Sequence, residues 1–70
     1  MERFLRYSLE RECSIRTVFL WKGSMAQKTV RVLALDHDTV TLRAGAQKPI
    51  TIPAADVLSC DYARGDRGED

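Results

Sequence analysis

The chain has 70 residues, a formal charge of +1 and two cysteines, Cys13 and Cys60. That length holds one domain at most and buries only roughly 60% of the surface the unfolded chain exposes, so self-association would relieve a core near its lower size limit. No run approaches the roughly 20 apolar residues needed to span a bilayer, and no secretory apolar segment precedes the cysteines. A reduced, cytoplasmic protein without a membrane partner is expected. The alternative for the cysteines is a single bridge between the first and last strands.

At the N-terminus, Met1, Phe4, Leu5, Ser8 and Leu9 fall on one helical stripe, with Glu2, Arg3, Arg6, Glu10 and Arg11 on the other side. The pattern predicts a short amphipathic helix. Its i,i+4 pairs, Glu2 with Arg6 and Arg6 with Glu10, each give only a few tenths of a kcal/mol, so the helix depends on docking its apolar stripe.

From Ile15 the period becomes two. Ile15, Thr17, Phe19 and Trp21 share one face, and Arg16, Val18, Leu20 and Lys22 the other. Because the second half of this strand is apolar on both faces, one face is expected to line the core and the other to lie under the helix or a partner subunit. Lys22, Gly23 and Ser24 make the hairpin turn. The next strand, Ala26 to Leu35, changes parity: Val30, Val32 and Ala34 oppose Leu33 and Leu35, which predicts a bend or bulge near Val32.

Asp36, His37 and Asp38 form a turn in which Asp side chains bond local backbone, and not a metal or acid/base cluster, because three neighbours cannot all face one ion and no second histidine exists. Thr39 to Arg43 follows as a strand with Val40 and Leu42 inward. Ala44 to Gln47 turns into Lys48 to Ile52, with Pro49 at the strand's start. Pro53 to Asp56 reads as one 3₁₀ turn before the last strand, Val57 to Tyr62. Residues 63–70 carry two Arg, three acids and two Gly and no large apolar residue, and are expected to be a disordered tail. Arg64, Gly65 and Asp66 spell an adhesion tripeptide by compositional chance.

Helix, strands in meander order and a one-turn helix before the last strand predict a mainly β domain over residues 1–62, with one N-terminal α-helix and a five-stranded Sm-like or SH3-like small barrel. Gln27 to Leu35, with Thr51 to Ser59, resembles the strand pattern of WYL domains, which are Sm-like barrels of bacterial regulators. Thr39, Val40 and Thr41 stand where those domains have their Trp-Tyr-Leu signature, so their ligand site does not carry over. A second resemblance is to bacterial Sm-like RNA chaperones, through Leu35, Asp36, His37, Val40, Thr41, Leu42, Val57 and Leu58. The lysine and histidine of their closing turn would fall near Pro53 to Asp56, where neither occurs. These resemblances imply a bacterial, cytoplasmic setting and association through sheet edges.

Between Cys13 and Leu35 the only charged residues are Arg16, Lys22, Lys28 and Arg31, and they share a hairpin with Phe19 and Trp21. Cations for phosphates and rings for bases form the pattern by which small barrels hold single-stranded nucleic acid. Arg16, Trp21, Lys22, Lys28 and Arg31 are therefore the candidate contacts with single-stranded RNA or DNA. The plain structural alternative puts Phe19 and Trp21 in the core and the cations on a solvated face. No nucleophile with a base, phosphate loop or paired carboxylates can be assembled, and Ser14, Ser24 and Ser59 read as turn or strand residues, so a non-catalytic protein without a cofactor is expected. The rival function is a homo-oligomeric interaction module that uses the apolar Val18–Leu20 face and an open strand edge.

Overall fold

A computed structural model describes residues Glu2 to Asp66. The helix α1 (Glu2–Arg11) precedes strands β1 (Ser14–Trp21), β2 (Ser24–Leu35), β3 (Thr39–Arg43) and β4 (Ile50–Pro53), the 3₁₀ turn Ala54–Asp56, and β5 (Val57–Tyr62). All neighbours in the sheet are antiparallel, in the order β4-β3-β2-β1-β5. The protein is thus mainly β with one N-terminal helix, as the periodicity predicts. β4 and β5 are the two edges of an open sheet, and no ladder among the described residues joins them, so the expected closure into a barrel is not formed by strand pairing.

The alternation of burial follows the sequence pattern. Ile15, Thr17 and Phe19 are buried on β1, Val30 and Val32 on β2, Val40 and Leu42 on β3, and Ile52 and Val57 on the last two strands. The expected irregularity in β2 lies between Val32 and Ala34, where the register with β3 shifts. It has a topological use. β2 pairs with β1 from Ser24 to Arg31 and with β3 from Arg31 to Leu35, so one strand serves two neighbours in succession.

Helix α1 buries Leu5 and Ser8, with Phe4, Tyr7 and Leu9 packed partly against the core. Phe4 and Tyr7 meet Tyr62 edge-on at 4.8 and 5.2 Å between ring centroids, which fixes the helix against the end of β5. Buried Ser8 has both polar functions used: its Oγ accepts from the Val32 backbone N–H and donates to the Cys13 carbonyl. Of the expected helix pairs, Arg6 with Glu2 forms at 2.7 Å.

Ala63 to Asp66 belong by composition to the expected tail, but they form a turn, Asp66 N–H to Ala63 O at 2.9 Å, and the Asp66 carboxylate accepts from the Tyr7 hydroxyl. Residues 67–70 of that tail, and Met1 of the helical stripe, lie outside the described residues. Asp66, the acid of the Arg-Gly-Asp tripeptide, is thus engaged within the fold. Cys13 and Cys60 are free thiols, both half-buried, and burial raises the Cys60 thiol pKa. No helix of the described residues is long and apolar enough to cross a membrane.

Candidate nucleic-acid interface

The site begins with the β1–β2 hairpin. Trp21 pairs with Ser24 across a turn made of Lys22 and Gly23 alone, both at positive φ (53° and 80°). This is the left-handed pair of a type I′ turn, whose twist matches that of the flanking strands. Glycine meets the demand freely, whereas Lys22 accepts a conformation that a side chain with a Cβ disfavours. The turn also brings the Lys22 ammonium 5.4 Å from the centre of the Trp21 ring.

Residues directly opposite one another in an antiparallel pair project to the same face. Thr17, Phe19 and Trp21 therefore share the inner face with Lys28, Ala26 and Ser24. Phe19 is buried, while Trp21, one step nearer the turn, retains 37% of its surface in solvent. Beyond Trp21 the sheet opens into a recess of about 70 Å³. Phe19, Val30, Leu42 and Ile50 make its floor, Trp21, Ala44 and Gln47 its walls, and Lys28 and Lys48 its rim. The Ala44–Gln47 turn, with Gly45 at φ 58° and Gln47 N–H bonded to Ala44 O, carries the two polar residues 47 and 48 to this edge.

Neither the Lys28 nor the Lys48 ammonium has a hydrogen bond or ion pair among the described residues, and no acid among them lines the recess. An exposed indole, an apolar floor and two uncommitted ammonium groups offer a flat ring a surface and an anion a counter-charge.

Arg16 and Arg31 do not join this site, which corrects the grouping expected from the sequence. Arg16 lies between the buried Ile15 and Thr17, and Arg31 between the buried Val30 and Val32, so both project from the outer face. Each is also engaged. Arg16 donates to Asp61 Oδ2 at 3.1 Å and to the Tyr62 carbonyl at 2.8 Å, and Arg31 pairs with Glu12 at 3.0 Å. The period of two places 16 and 31 on the face opposite 28. Of the expected contacts, Trp21, Lys22 and Lys28 stay together, and Lys48 and Gln47 are added. The Ala44–Lys48 segment reads as an ordinary turn, and only the fold of β3 back toward β2 brings it beside Lys28.

The remaining polar cluster, Asp36–Asp38, is a turn as expected. Asp36 Oδ1 accepts from the N–H groups of Asp38 and Thr39, each at 2.8 Å, and these bonds lower its pKa, that from Thr39 most. His37 lies 3.3 Å from Asp38 and nowhere near the recess residues in the sheet order.

No protein-family model matches the chain, and neither a curated protein nor a solved structure is significantly similar to it. The functional reading therefore rests on the geometry of the recess.

Proposed function

We propose that the chain is a non-catalytic small β domain of Sm-like barrel type that binds single-stranded nucleic acid in bacterial gene regulation in the cytoplasm. One base lies on the exposed face of Trp21 over the recess, and the adjoining phosphates are held by Lys22, Lys28 and Lys48. The carrying observation is the juxtaposition of a solvent-exposed indole with the ammonium groups of Lys28 and Lys48, both without a partner among the described residues, at a recess that none of the described acids lines. The N-terminal helix and the β4-β3-β2-β1-β5 order support the barrel type.

Electrostatic contacts of this kind leave a signature in salt. For single strands the logarithm of the affinity falls with the logarithm of salt by about 0.7 for each phosphate neutralised. Fluorescence anisotropy with a labelled mixed-sequence oligonucleotide is expected to show binding that weakens with salt, with a shallower slope for Lys28→Ala/Lys48→Ala and an unchanged slope for Arg16→Ala. Equal loss in the two variants, or no binding by the parent protein, rejects the assignment.

A second reading, a homo-oligomeric interaction module, is favoured by a separate observation. Leu20, Met25 and Leu58 are exposed apolar side chains, and Leu20 and Met25 are directly opposed on the outer face of the hairpin.

A further inference from the structure

The two-residue turn fixes which backbone groups of β2 face β1. In such a hairpin the residues flanking the turn form a hydrogen-bonded pair, and the pairing then alternates. Trp21 and Ser24 flank the turn, so Ser24, Ala26, Lys28 and Val30 direct their N–H and C=O groups toward β1. Met25, Gln27 and Thr29 direct theirs away. On that side β3 begins to pair only at Arg31, which leaves the edge along the first half of β2 without a partner strand among the described residues.

This edge differs from the other two. β4 is four residues long, follows Pro49 and ends in Pro53, and β5 carries Asp61 and a register shift opposite Val18 and Phe19. Prolines, charges and bulges are the features by which sheet edges resist pairing. The first half of β2 has no proline, acid or bulge. Ser24, Met25, Gln27, Lys28 and Thr29 along it are exposed, and the single charge among them, Lys28, projects to the inner face.

We infer that a second copy of this chain pairs with this edge, antiparallel and about a two-fold axis at Gln27. The inference rests on the oligomer reading above and names its surface; it is independent of nucleic-acid binding. Three features select this occupant and register. Centring on Gln27 sets Met25 against the partner's Thr29 and Thr29 against the partner's Met25, so every outward N–H and C=O of the three residues meets its complement. Centring on the neighbouring Lys28 would instead oppose two ammonium groups directly. At the axis the Gln27 amides, each donor and acceptor, can bond to one another, and self-complementarity is what a two-fold interface requires. Met25, 69% exposed in one chain, gains cover from the partner's β2. The Lys28 residues of the two copies then stand diagonally across the joint on the inner face, and the two recesses open on one continuous sheet.

Light scattering over a rising concentration series is expected to show a monomer–dimer equilibrium. Gln27→Lys, which opposes like charges at the axis, is expected to shift the series to monomer while circular dichroism stays unchanged. Gln27→Cys is expected to give a disulfide-linked dimer under mild oxidation that the parent protein, with its half-buried Cys13 and Cys60, does not give. A monomer at every concentration overturns both this inference and the oligomer reading. A dimer insensitive to Gln27→Lys and not captured through Gln27→Cys overturns the edge alone. Monomer with retained oligonucleotide binding leaves the proposed function standing.

Discussion

Ser8 of the helix accepts a 2.9 Å hydrogen bond from the backbone N–H of Val32, 24 residues further along the chain. Val32 sits where β2 has passed the start of β1, so its N–H would otherwise be buried without a partner. Replacing Ser8 with Ala orphans that donor and the Cys13 carbonyl together. A loss of about 1 to 3 kcal/mol is expected, the usual cost of a buried unsatisfied polar group, measured as a lower urea midpoint at unchanged m-value. Ser8→Gly would confuse this with helix propensity and is the poorer test.

Trp21 is the only tryptophan, so its fluorescence reports the recess directly. Stacking with a base is expected to quench it on titration with an oligonucleotide. Trp21→Ala is expected to weaken binding by about 1 to 3 kcal/mol, the value of one base–aromatic stack. Trp21→Phe retains a ring and is expected to retain most of the affinity. Unchanged emission on saturation would place the strand elsewhere.

The turn contains a separable stability effect. Lys22 holds φ 53° where asparagine is favoured, ahead of Gly23 at φ 80°. Lys22→Asn is expected to stabilise the fold by about 0.5 to 1 kcal/mol through relief of the left-handed conformation, read as a raised thermal midpoint. Gly23→Ala meets no steric neighbour, yet it is expected to destabilise because of φ alone. Lys22→Asn also removes a cation, so a more stable protein with weaker oligonucleotide binding is the expected pair of results.

Tyr7 and Asp66 couple the helix to the segment after β5. The hydrogen bond to Asp66 is the main reason the Tyr7 phenol is pushed up to about 12, because it is lost, and like charges meet, when the phenol ionises. The neutral form is favoured in the fold, so the contribution is complete below the ordinary tyrosine value of 10.0 and is lost as pH rises through about 12. Spectrophotometric titration is expected to show a tyrosine ionising near the upper value, and Asp66→Asn to move it back toward the lower. An identical titration curve in Asp66→Asn would remove the contact.

The order of elements was legible because each has its own period or punctuation. The i, i+4 stripe ending at Leu9, the alternation from Ile15, the parity change at Val32 and the proline at 53 all act within a few residues. What escaped the sequence depends on distant parts of the chain. Lys48 belongs to the recess through β3's return to β2, whereas the outward face of Arg16, one step from Thr17, is legible in the period of two itself. Asp61 and Glu12, which engage the outer arginines, lie 45 and 19 residues from them. Barrel closure was expected from the corner at Pro53, but a corner sets only the direction of β5, and the sheet stays open between β4 and β5.

β5 completes its pairing with β1, where Ile15 stands opposite Tyr62. The other ladders join strands adjacent in sequence and close through short local loops, whereas this one must bring together parts that almost the whole domain separates. During synthesis, β1 through β4 therefore emerge while Ile15, Thr17 and Phe19 still lack their neighbours on one side. The apolar face of β1 is finished only when Tyr62 is in place, and the same residue supplies the ring that Phe4 and Tyr7 of the helix meet.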